Sequence, residues 1–403
     1  MRAIGVFLAA ALALGPGAAG LGADDAALTV HLVDGQTKAG QTLSLASGRL
    51  ALEAAGGQPA GQWPLADVAL VDFHRPPAAA ADDAAWVRVT GGVLRGSAEA
   101  FDGQAFKVVG GDFGNLSLPA ACVEAVVWIP AAAQRLEEAE TPTDVVILKN
   151  LDRVSGTLNT LDAEKVKFHS DLGLLELERG RVAAIKIAAP KAGRPKGGLP
   201  ALKVELLSGT AVELSDAQIS GGALKGTLPG GPAVAVALDK VARLEVVGGR
   251  LVPLDGLEPA AYEQNSLDIL KWQIKRGLNV LGQPMRLRAD DGKTVQTFTR
   301  GLGVHGPCRI EYRLDGQYER FLAAVGLDES AGQWADVNLV VKVDGREVFR
   351  ADHVKWPEAA RQVNVGLAGA KQLELIVEAG ENFDVQDRVN WAEARLIRAG
   401  ASR

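Results

Sequence analysis

Four segments in the first 250 residues repeat at a constant interval, and this repeat limits the possible folds more than any other feature. The segments open with alternating apolar residues at Leu28, Trp86, Asp144 and Leu202, so successive starts are 58 residues apart. Each segment ends in a valine-x-x-aliphatic pattern, as in Val68–Val71. Self-similarity at a fixed period indicates repeated structural units that pack on one another.

Turn-forming residues divide each repeat into strand-sized runs. Runs of this length, separated by turns every ~8–12 residues, are typical of small all-β units. The pattern resembles that of SH3-like or Sm-like five-stranded barrels. We therefore predict four small β-barrel-like units at residues 24–75, 86–130, 143–188 and 201–250. Two tandem pairs of units or one continuous stack explain the sequence equally well.

Residues 1–23 have the pattern of a secretory signal peptide. Arg2 is followed by the apolar run Ala3–Leu14, which is shorter than the ~20 residues that cross a bilayer. Small residues that suit a signal peptidase extend from Ala18 to Ala23. An uncleaved anchor is the alternative. Since no later run is long and apolar enough to span a membrane, we predict a secreted, periplasmic or cell-envelope protein.

Charge and cysteine content exclude two other classes. The formal net charge is −6, which gives no electrostatic reason to bind nucleic acid or anionic lipid. Only two cysteines occur, Cys122 and Cys308, and they fall in different predicted domains. A disulfide-stapled scaffold needs more than two, so we predict two separately buried thiols.

The repeats show no catalytic constellation. Their histidines, His31, His74 and His169, are scattered, and the chain contains neither G-x-S-x-G nor H-E-x-x-H. A pair of carboxylates could meet in space without a sequence signal, but four small β units are a poor place for the deep cleft that such a pair needs. We therefore predict a non-catalytic protein whose repeats serve as spacer or interaction modules, with envelope proteins as partners.

From about residue 257 the pattern changes to that of a larger all-β domain. Alternating strands are predicted around Ile310 and Val341, and Asp344-Gly345 is a strong hairpin signal. Gly301, Gly303 and Gly306 match the dinucleotide fingerprint G-x-G-x-x-G. That fingerprint requires a helix directly after it, whereas Pro307 and a strand pattern follow here, which excludes a nucleotide site of this kind.

The order of motifs in this segment resembles that of the NPCBM/NEW2 carbohydrate-binding module. The motifs are Trp272, the turn Gly301–Gly306, Val325–Glu329, Leu373–Leu375 and the closing Asn390–Leu396. Gly306 stands where the family usually has alanine, and Asp387–Asn390 departs from its usual acidic residue and histidine. The resemblance implies a galactose-binding-like β-sandwich, a jelly roll, at residues 257–399 with a carbohydrate as its partner.

Sugar recognition requires a flat apolar face for the C–H side of the ring and oriented polar groups for the hydroxyls. Trp334, in a glycine-flanked loop with Asp336, is the first stacking candidate, and Trp356 is the second. Trp334 could equally cap the edge of the core. His305 could bond a hydroxyl or, equally well, the backbone of its own turn. Trp391 is assigned to the core.

The resemblance further implies a structural calcium, a cation that takes six to eight oxygen ligands. The loop with Asp384 and Asp387 is the best oxygen-rich candidate, and Asp328 with Glu329 is the alternative. Either loop could instead be a solvated acidic loop. Two other functions stay open: an envelope scaffold whose sugar site has degenerated, and the accessory part of a glycoside hydrolase.

Overall fold

A computed structural model describes residues 27–75, 85–137, 142–171, 173–188, 200–264 and 271–400. The predicted signal peptide and most of the predicted linkers lie outside these residues. The chain divides into two compact units, one ending at Gly249 and the other starting at Arg250. Both units are built almost entirely of strands, which confirms the all-β prediction. The described residues include no helix with the length and apolarity needed to cross a membrane.

The first unit contains the four repeats. The strands of repeats one and two are β1 (Leu28–Leu32), β2 (Thr37–Gly40), β3 (Thr42–Ala46), β4 (Arg49–Glu53), β5 (Pro59–Pro64), β6 (Val68–Asp72), β7 (Trp86–Val89), β8 (Gly92–Arg95), β9 (Ser97–Phe101), β10 (Ala105–Gly111), β11 (Gly114–Pro119) and β12 (Val123–Val127). Those of repeats three and four are β13 (Asp144–Leu148), β14 (Arg153–Leu161), β15 (Lys165–Ser170), β16 (Gly173–Glu178), β17 (Val182–Lys186), β18 (Ala201–Leu206), β19 (Ala211–Ser220), β20 (Ala223–Thr227), β21 (Ala233–Ala237) and β22 (Val241–Val247).

A one-turn 3₁₀ helix precedes the closing strand of every repeat. These turns are Leu65–Asp67, Ala120–Cys122, Arg179–Arg181 and Leu238–Lys240. The remaining helical elements of the unit are Ala55–Gly57, Pro130–Ala132 and helix α1 (Ala133–Glu137). The valine-x-x-aliphatic pattern therefore marks the strand that follows the 3₁₀ turn.

Repeats three and four are each a bent sheet of five strands, and repeats one and two have six because their second strand is interrupted at Gln41 and Gly96. In repeat four the order is β21-β20-β19-β18-β22, and repeat three follows the same order as β16-β15-β14-β13-β17. The long second strand bends where a small residue permits it: a Cβ at Gly156 would lie 2.1 Å from the carbonyl oxygen of His169. Among the described residues, the first and last strands in this order do not pair with each other. Each repeat is therefore an open sheet and not a closed barrel.

The repeats pair in a nested order rather than in tandem. The closing strands β6 and β22 pair repeats one and four, whereas β12 and β17 pair repeats two and three. A short contact between β8 and β19, with Val93 opposite Ala211, joins the two pairs. One hydrophobic core cluster includes residues of all four repeats, so the repeats form a single body.

The outer faces of the two pairs differ in chemistry. Across repeats one and four, Asp72 lies opposite Arg243, which lies opposite Glu205. The matching row across repeats two and three is Val127, Ala184 and Ile147. This apolar row packs against the segment that contains α1. Ala132 and Leu136 of that segment are buried in the same hydrophobic cluster. Opposite charges and apolar residues are each favourable cross-strand neighbours of their own kind, so the two rows are consistent with the nested order.

The second unit is a β-sandwich. Its first seven strands are β23 (Leu251–Pro253), β24 (Ala261–Gln264), β25 (Lys275–Arg276), β26 (Met285–Arg288), β27 (Val295–Phe298), β28 (Gly301–His305) and β29 (Cys308–Arg313), with a 3₁₀ turn at Leu254–Gly256. The other six are β30 (Tyr318–Leu327), β31 (Asp336–Val343), β32 (Arg346–Lys355), β33 (Arg361–Gly366), β34 (Gln372–Ala379) and β35 (Arg388–Arg398).

Two main sheets form the sandwich. One has the order β25-β28-β35-β30-β33, with β23 added on β35, and the other has the order β24-β29-β34-β31-β32. Strands β26 and β27 form a separate hairpin. The sequence pattern predicts that this unit starts at residue 257. Because β23 pairs with β35, the unit in fact starts earlier. Trp391 is fully buried between the sheets, which confirms its assignment to the core.

The two cysteines are buried, free thiols in separate units, as the sequence predicts. Burial raises the pKa of Cys308 to about 12, and it also raises the pKa of Cys122. Both side chains therefore behave as small apolar core residues.

Candidate functional site

Several strand ends of the sandwich meet at one edge. Strand β28 ends at His305, directly opposite the start of β35 at Arg388. Strand β31 starts at Asp336, opposite the end of β32 at Lys355. Two loops, residues 328–336 and 380–387, connect strands at this edge, and we call them the rim loops. All candidate residues except Trp356 lie on a rim loop or directly beside one.

Trp334 is the most open of the predicted sugar-binding residues, with 55% of its surface exposed. Its backbone is tied to the other rim loop, because its N–H donates to Oε1 of Gln386 at 3.4 Å. Nδ2 of Asn382 donates to the carbonyl oxygen of Trp334 at 3.1 Å. The ring therefore faces solvent on a loop that is held in place, which is the geometry a stacking residue requires.

Asp336 lies at the base of the rim loops and is fully buried. Nδ1 of His353 is 3.3 Å from its Oδ1, and Nζ of Lys355 is 3.6 Å from its Oδ2. The backbone N–H of Glu381 also donates to Oδ2, at 3.3 Å. About half of the His353 and Lys355 side chains is exposed, so this buried carboxylate holds an imidazole and an ammonium group where a hydroxylated ligand can reach them.

Asp387 is buried beside Asp336 and is the most perturbed acid at this edge. Its Oδ1 accepts the N–H of Asp336 at 3.3 Å, whereas its Oδ2 has no hydrogen-bond partner. Burial raises the pKa of Asp387 to about 8, and the charges of Asp384 and Asp336 add to the rise. The carboxyl is therefore mostly protonated at neutral pH.

His305 occupies a different environment from the one that a ligand-binding histidine needs. Only 5% of its surface is exposed, and Trp272 stacks on its ring at 5.0 Å between centroids. Its Nδ1 lies 2.7 Å from the carbonyl oxygen of Gly306. These contacts fit the second sequence interpretation, a histidine that bonds the backbone of its own turn.

Trp356 lies beside the hairpin formed by β26 and β27. The guanidinium carbon of Arg288 is 5.6 Å from the centroid of its ring, and the ring is partly buried against the core. Nη2 of Arg288 also pairs with Oε1 of Glu329 at 2.5 Å. Trp356 and Glu329 therefore share one arginine, and both are committed to contacts within the protein.

Asp328 is likewise committed. Its Oδ1 accepts from Nδ2 of Asn279 and the N–H of Ser330, and its Oδ2 accepts from the N–H of Arg286 and Nδ2 of Asn390, at 2.6–3.0 Å. Four donors use the lone pairs that a calcium ion would need. The unpartnered oxygen of Asp387, with Asp384 nearby, is the better fit. Within the described residues, no three His, Cys, Asp or Glu side chains gather as metal ligands.

Sequence reasoning missed three residues of this edge: His353, Lys355 and Phe383. Phe383 is 67% exposed in the second rim loop. Its signal in the sequence was a lone aromatic residue within an otherwise mostly polar loop, Glu381–Asp387. His353 and Lys355 carry no such signal, because only the pairing of β31 with β32 brings them to Asp336.

A model of the NPCBM/NEW2 domain family matches residues 252–397. Residues 252–397 are an NPCBM/NEW2 domain. The predicted resemblance is thereby confirmed, and the NPCBM/NEW2 domain coincides with the sandwich that carries the rim loops. The glycine motif is one of its strands, β28, and not a nucleotide-binding turn.

Several known proteins are similar to parts of this chain. A putative endo-alpha-N-acetylgalactosaminidase of Renibacterium salmoninarum is 28% identical over 101 residues, which is 25% of this chain and only 7% of that relative. The CBM51 module of Clostridium perfringens GH95, solved in complex with methyl-galactose, is 26% identical, with a TM-score of 0.34, over 36% of this chain and 99% of that one. The CBM51-2 and INT domains of Clostridium perfringens ZmpB, solved with GlcNAc, are 20% identical, with a TM-score of 0.34, over 46% of this chain and 40% of that one.

Proposed function

We propose that this chain binds carbohydrate at the rim loops of its NPCBM/NEW2 domain and performs no catalysis. The observation that carries the proposal is the exposed ring of Trp334 two residues from the buried carboxylate of Asp336. An indole ring offers the apolar face that the C–H side of a sugar requires. For the hydroxyls, the ammonium group of Lys355 offers a donor and the free ring nitrogen of a neutral His353 offers an acceptor, and both side chains are held by Asp336. Both requirements of sugar recognition are thus met at one edge of the sandwich.

The Trp334→Ala variant tests this site. We expect its dissociation constant for a bound glycan to rise by about 5- to 150-fold, because one good aromatic stacking contact is worth about 1–3 kcal/mol in nucleic-acid complexes. The measurement is a glycan array with the full chain, followed by calorimetry on the strongest hit. Val348→Ala is the matched control, since it also removes exposed apolar surface, but from β32 away from the rim loops.

Three outcomes of the array are informative. Binding that Trp334→Ala weakens and Val348→Ala does not supports the proposed site. If Trp334→Ala and Val348→Ala both bind with wild-type affinity, the site lies elsewhere on the domain. The absence of binding to every glycan, with and without calcium, would favour the alternative function, an envelope scaffold with a degenerated sugar site.

The non-catalytic assignment has its own test. We expect the full chain to release no chromophore from a panel of aryl glycosides above the rate of a heat-denatured sample. The repeats share one continuous hydrophobic core, and we assign them a spacer or interaction role. Steady turnover of any substrate in the panel would establish the glycoside hydrolase alternative.

Export, envelope-protein partners and calcium binding stay predictions. The first 23 residues carry the export prediction, and the repeats carry the partner prediction. For calcium, Asp384 and Asp387 are the residues that would hold the ion, because Oδ2 of Asp387 is the one buried carboxylate oxygen of this edge without a partner in the described residues. A bound calcium would supply positive charge to this group of carboxylates and tie the rim loops together.

A further inference from the structure

Within the part of the chain that the structure describes, the exposed aromatic side chains lie on the rim loops. Among the described residues, nine large hydrophobic side chains are exposed, and only two of them, Trp334 and Phe383, are aromatic. Their exposed fractions are 55% and 67%. Val385, in the same loop as Phe383, is a third member of the nine. Single exposed apolar residues are ordinary, but a group at one edge indicates a binding surface.

The two aromatic residues belong to separate loops that are fastened together. The hydrogen bond from Asn382 to the carbonyl oxygen of Trp334 links the residue next to Phe383 with Trp334 itself. The side chain of Gln386 fills the space above Gly332, where a Cβ would lie 2.2 Å from its Oε1. The loop that carries Phe383 is therefore fastened to the loop that carries Trp334 by contacts that do not involve the phenyl ring.

The backbone at Phe383 is strained. Its φ is +57°, a left-handed conformation that bulky residues rarely adopt and that costs of order 1–3 kcal/mol. An isolated bridge between Gly380 and Phe383 closes the turn. Folding gains little from this residue, because most of its ring stays in water. A strained turn that presents an exposed ring is consistent with selection for binding.

We propose that Phe383 forms a second stacking surface, so that the rim loops hold two consecutive sugar residues of an oligosaccharide rather than one terminal sugar. The inference rests on the proposed function, since Trp334 must be the first stacking surface. Two separate rings on two linked loops offer two apolar faces, and each face suits one pyranose ring. Asp336, with His353 and Lys355, provides the polar contacts near the Trp334 end.

The test compares glycans of two lengths on the full chain. Each terminal sugar is printed both as a monosaccharide and as the end of a di- or trisaccharide, and calorimetry follows on the strongest pair. Phe383→Ala is expected to weaken oligosaccharide binding about tenfold and to leave monosaccharide binding unchanged. Phe383→Tyr, which keeps the ring, should retain the wild-type preference. Val385→Ala, which removes exposed apolar surface from the same loop without removing a ring, is the matched control.

The outcomes separate the two proposals. Equal loss for both glycan lengths, or no loss with Phe383→Ala while Trp334→Ala weakens binding, overturns the second surface and leaves the proposed function standing. If Trp334→Ala also changes nothing, or no glycan binds, both proposals fail. Thermal melting of each variant shows whether a loss of binding reflects unfolding.

Discussion

Replacing Gly303 with alanine is expected to destabilise the NPCBM/NEW2 domain by about 3 kcal/mol or more. A Cβ at this position would lie 2.3 Å from the carbonyl oxygen of Leu278 and 2.5 Å from Cα of Asn279. Both are backbone atoms, so the clash cannot be relieved by turning a side chain. The measurement is urea unfolding of the full chain, with hydrogen exchange of β28 and β35 to locate the loss.

Gly366→Ala is the matched control for this variant. Gly366 also lies in a strand of the same sheet, but a Cβ there would meet no atom within 4 Å. We expect a change within about 0.5 kcal/mol, as for most open surface positions. Equal stability of the two variants would show that the close approach of β28 to Leu278 and Asn279 does not determine the packing.

This prediction explains what the glycine motif does. Gly301 and Gly303 let β28 pass against other backbone segments, and a Cβ at Gly301 would lie 2.2 Å from the carbonyl oxygen of Trp391. The glycine spacing matches the nucleotide fingerprint because glycines serve the same purpose in both motifs. They let the backbone come close to a neighbouring group. Here the neighbour is the protein itself.

The stability of the same domain is expected to fall as the pH rises from about 4 to 8, because of Asp387. Burial raises the pKa of this carboxyl from 3.8 to about 8. Between these values the folded state keeps a proton that the unfolded state has released, so each added pH unit favours unfolding. The contribution is fully present below pH 4 and is lost by about pH 8. The expected loss is about 4 kcal/mol between pH 5 and pH 8.

Asp387→Asn isolates this effect. The amide keeps an acceptor for the N–H of Asp336 and cannot ionise. In EDTA, hydrogen exchange of β35 should show wild type and variant about equally stable at pH 5 and the variant markedly more stable at pH 8. Parallel pH profiles of the two proteins would contradict the buried, protonated carboxyl.

The sequence determined the parts of the fold that depend on local pattern. Period-two alternation and regular turn signals specified strands throughout, and the constant 58-residue interval specified four similar units. The closing motif Asn390–Leu396 was sufficient to place Trp391 in the core. These features depend on the order of apolar and polar residues, which the chain carries before it folds.

The pairing of the repeats could not be predicted in the same way. All four closing strands share the valine-x-x-aliphatic pattern, so each could pair with any other on apolar pattern alone. The nested order depends on which rows face each other, such as Asp72 with Arg243 or Val127 with Ala184. Cross-strand partners become visible only when the register is known.

The candidate site shows the same division. Sequence reasoning proposed Trp334 and Asp336 because they lie in a glycine-flanked loop, and it proposed His305 and Trp356 beside them. Only the tertiary structure decided which of these face solvent: Trp272 covers His305, and Arg288 engages Trp356. Exposure depends on neighbours from distant strands. The sequence by itself determined which residues have suitable chemistry, and the folded sandwich decided which of them a ligand can reach.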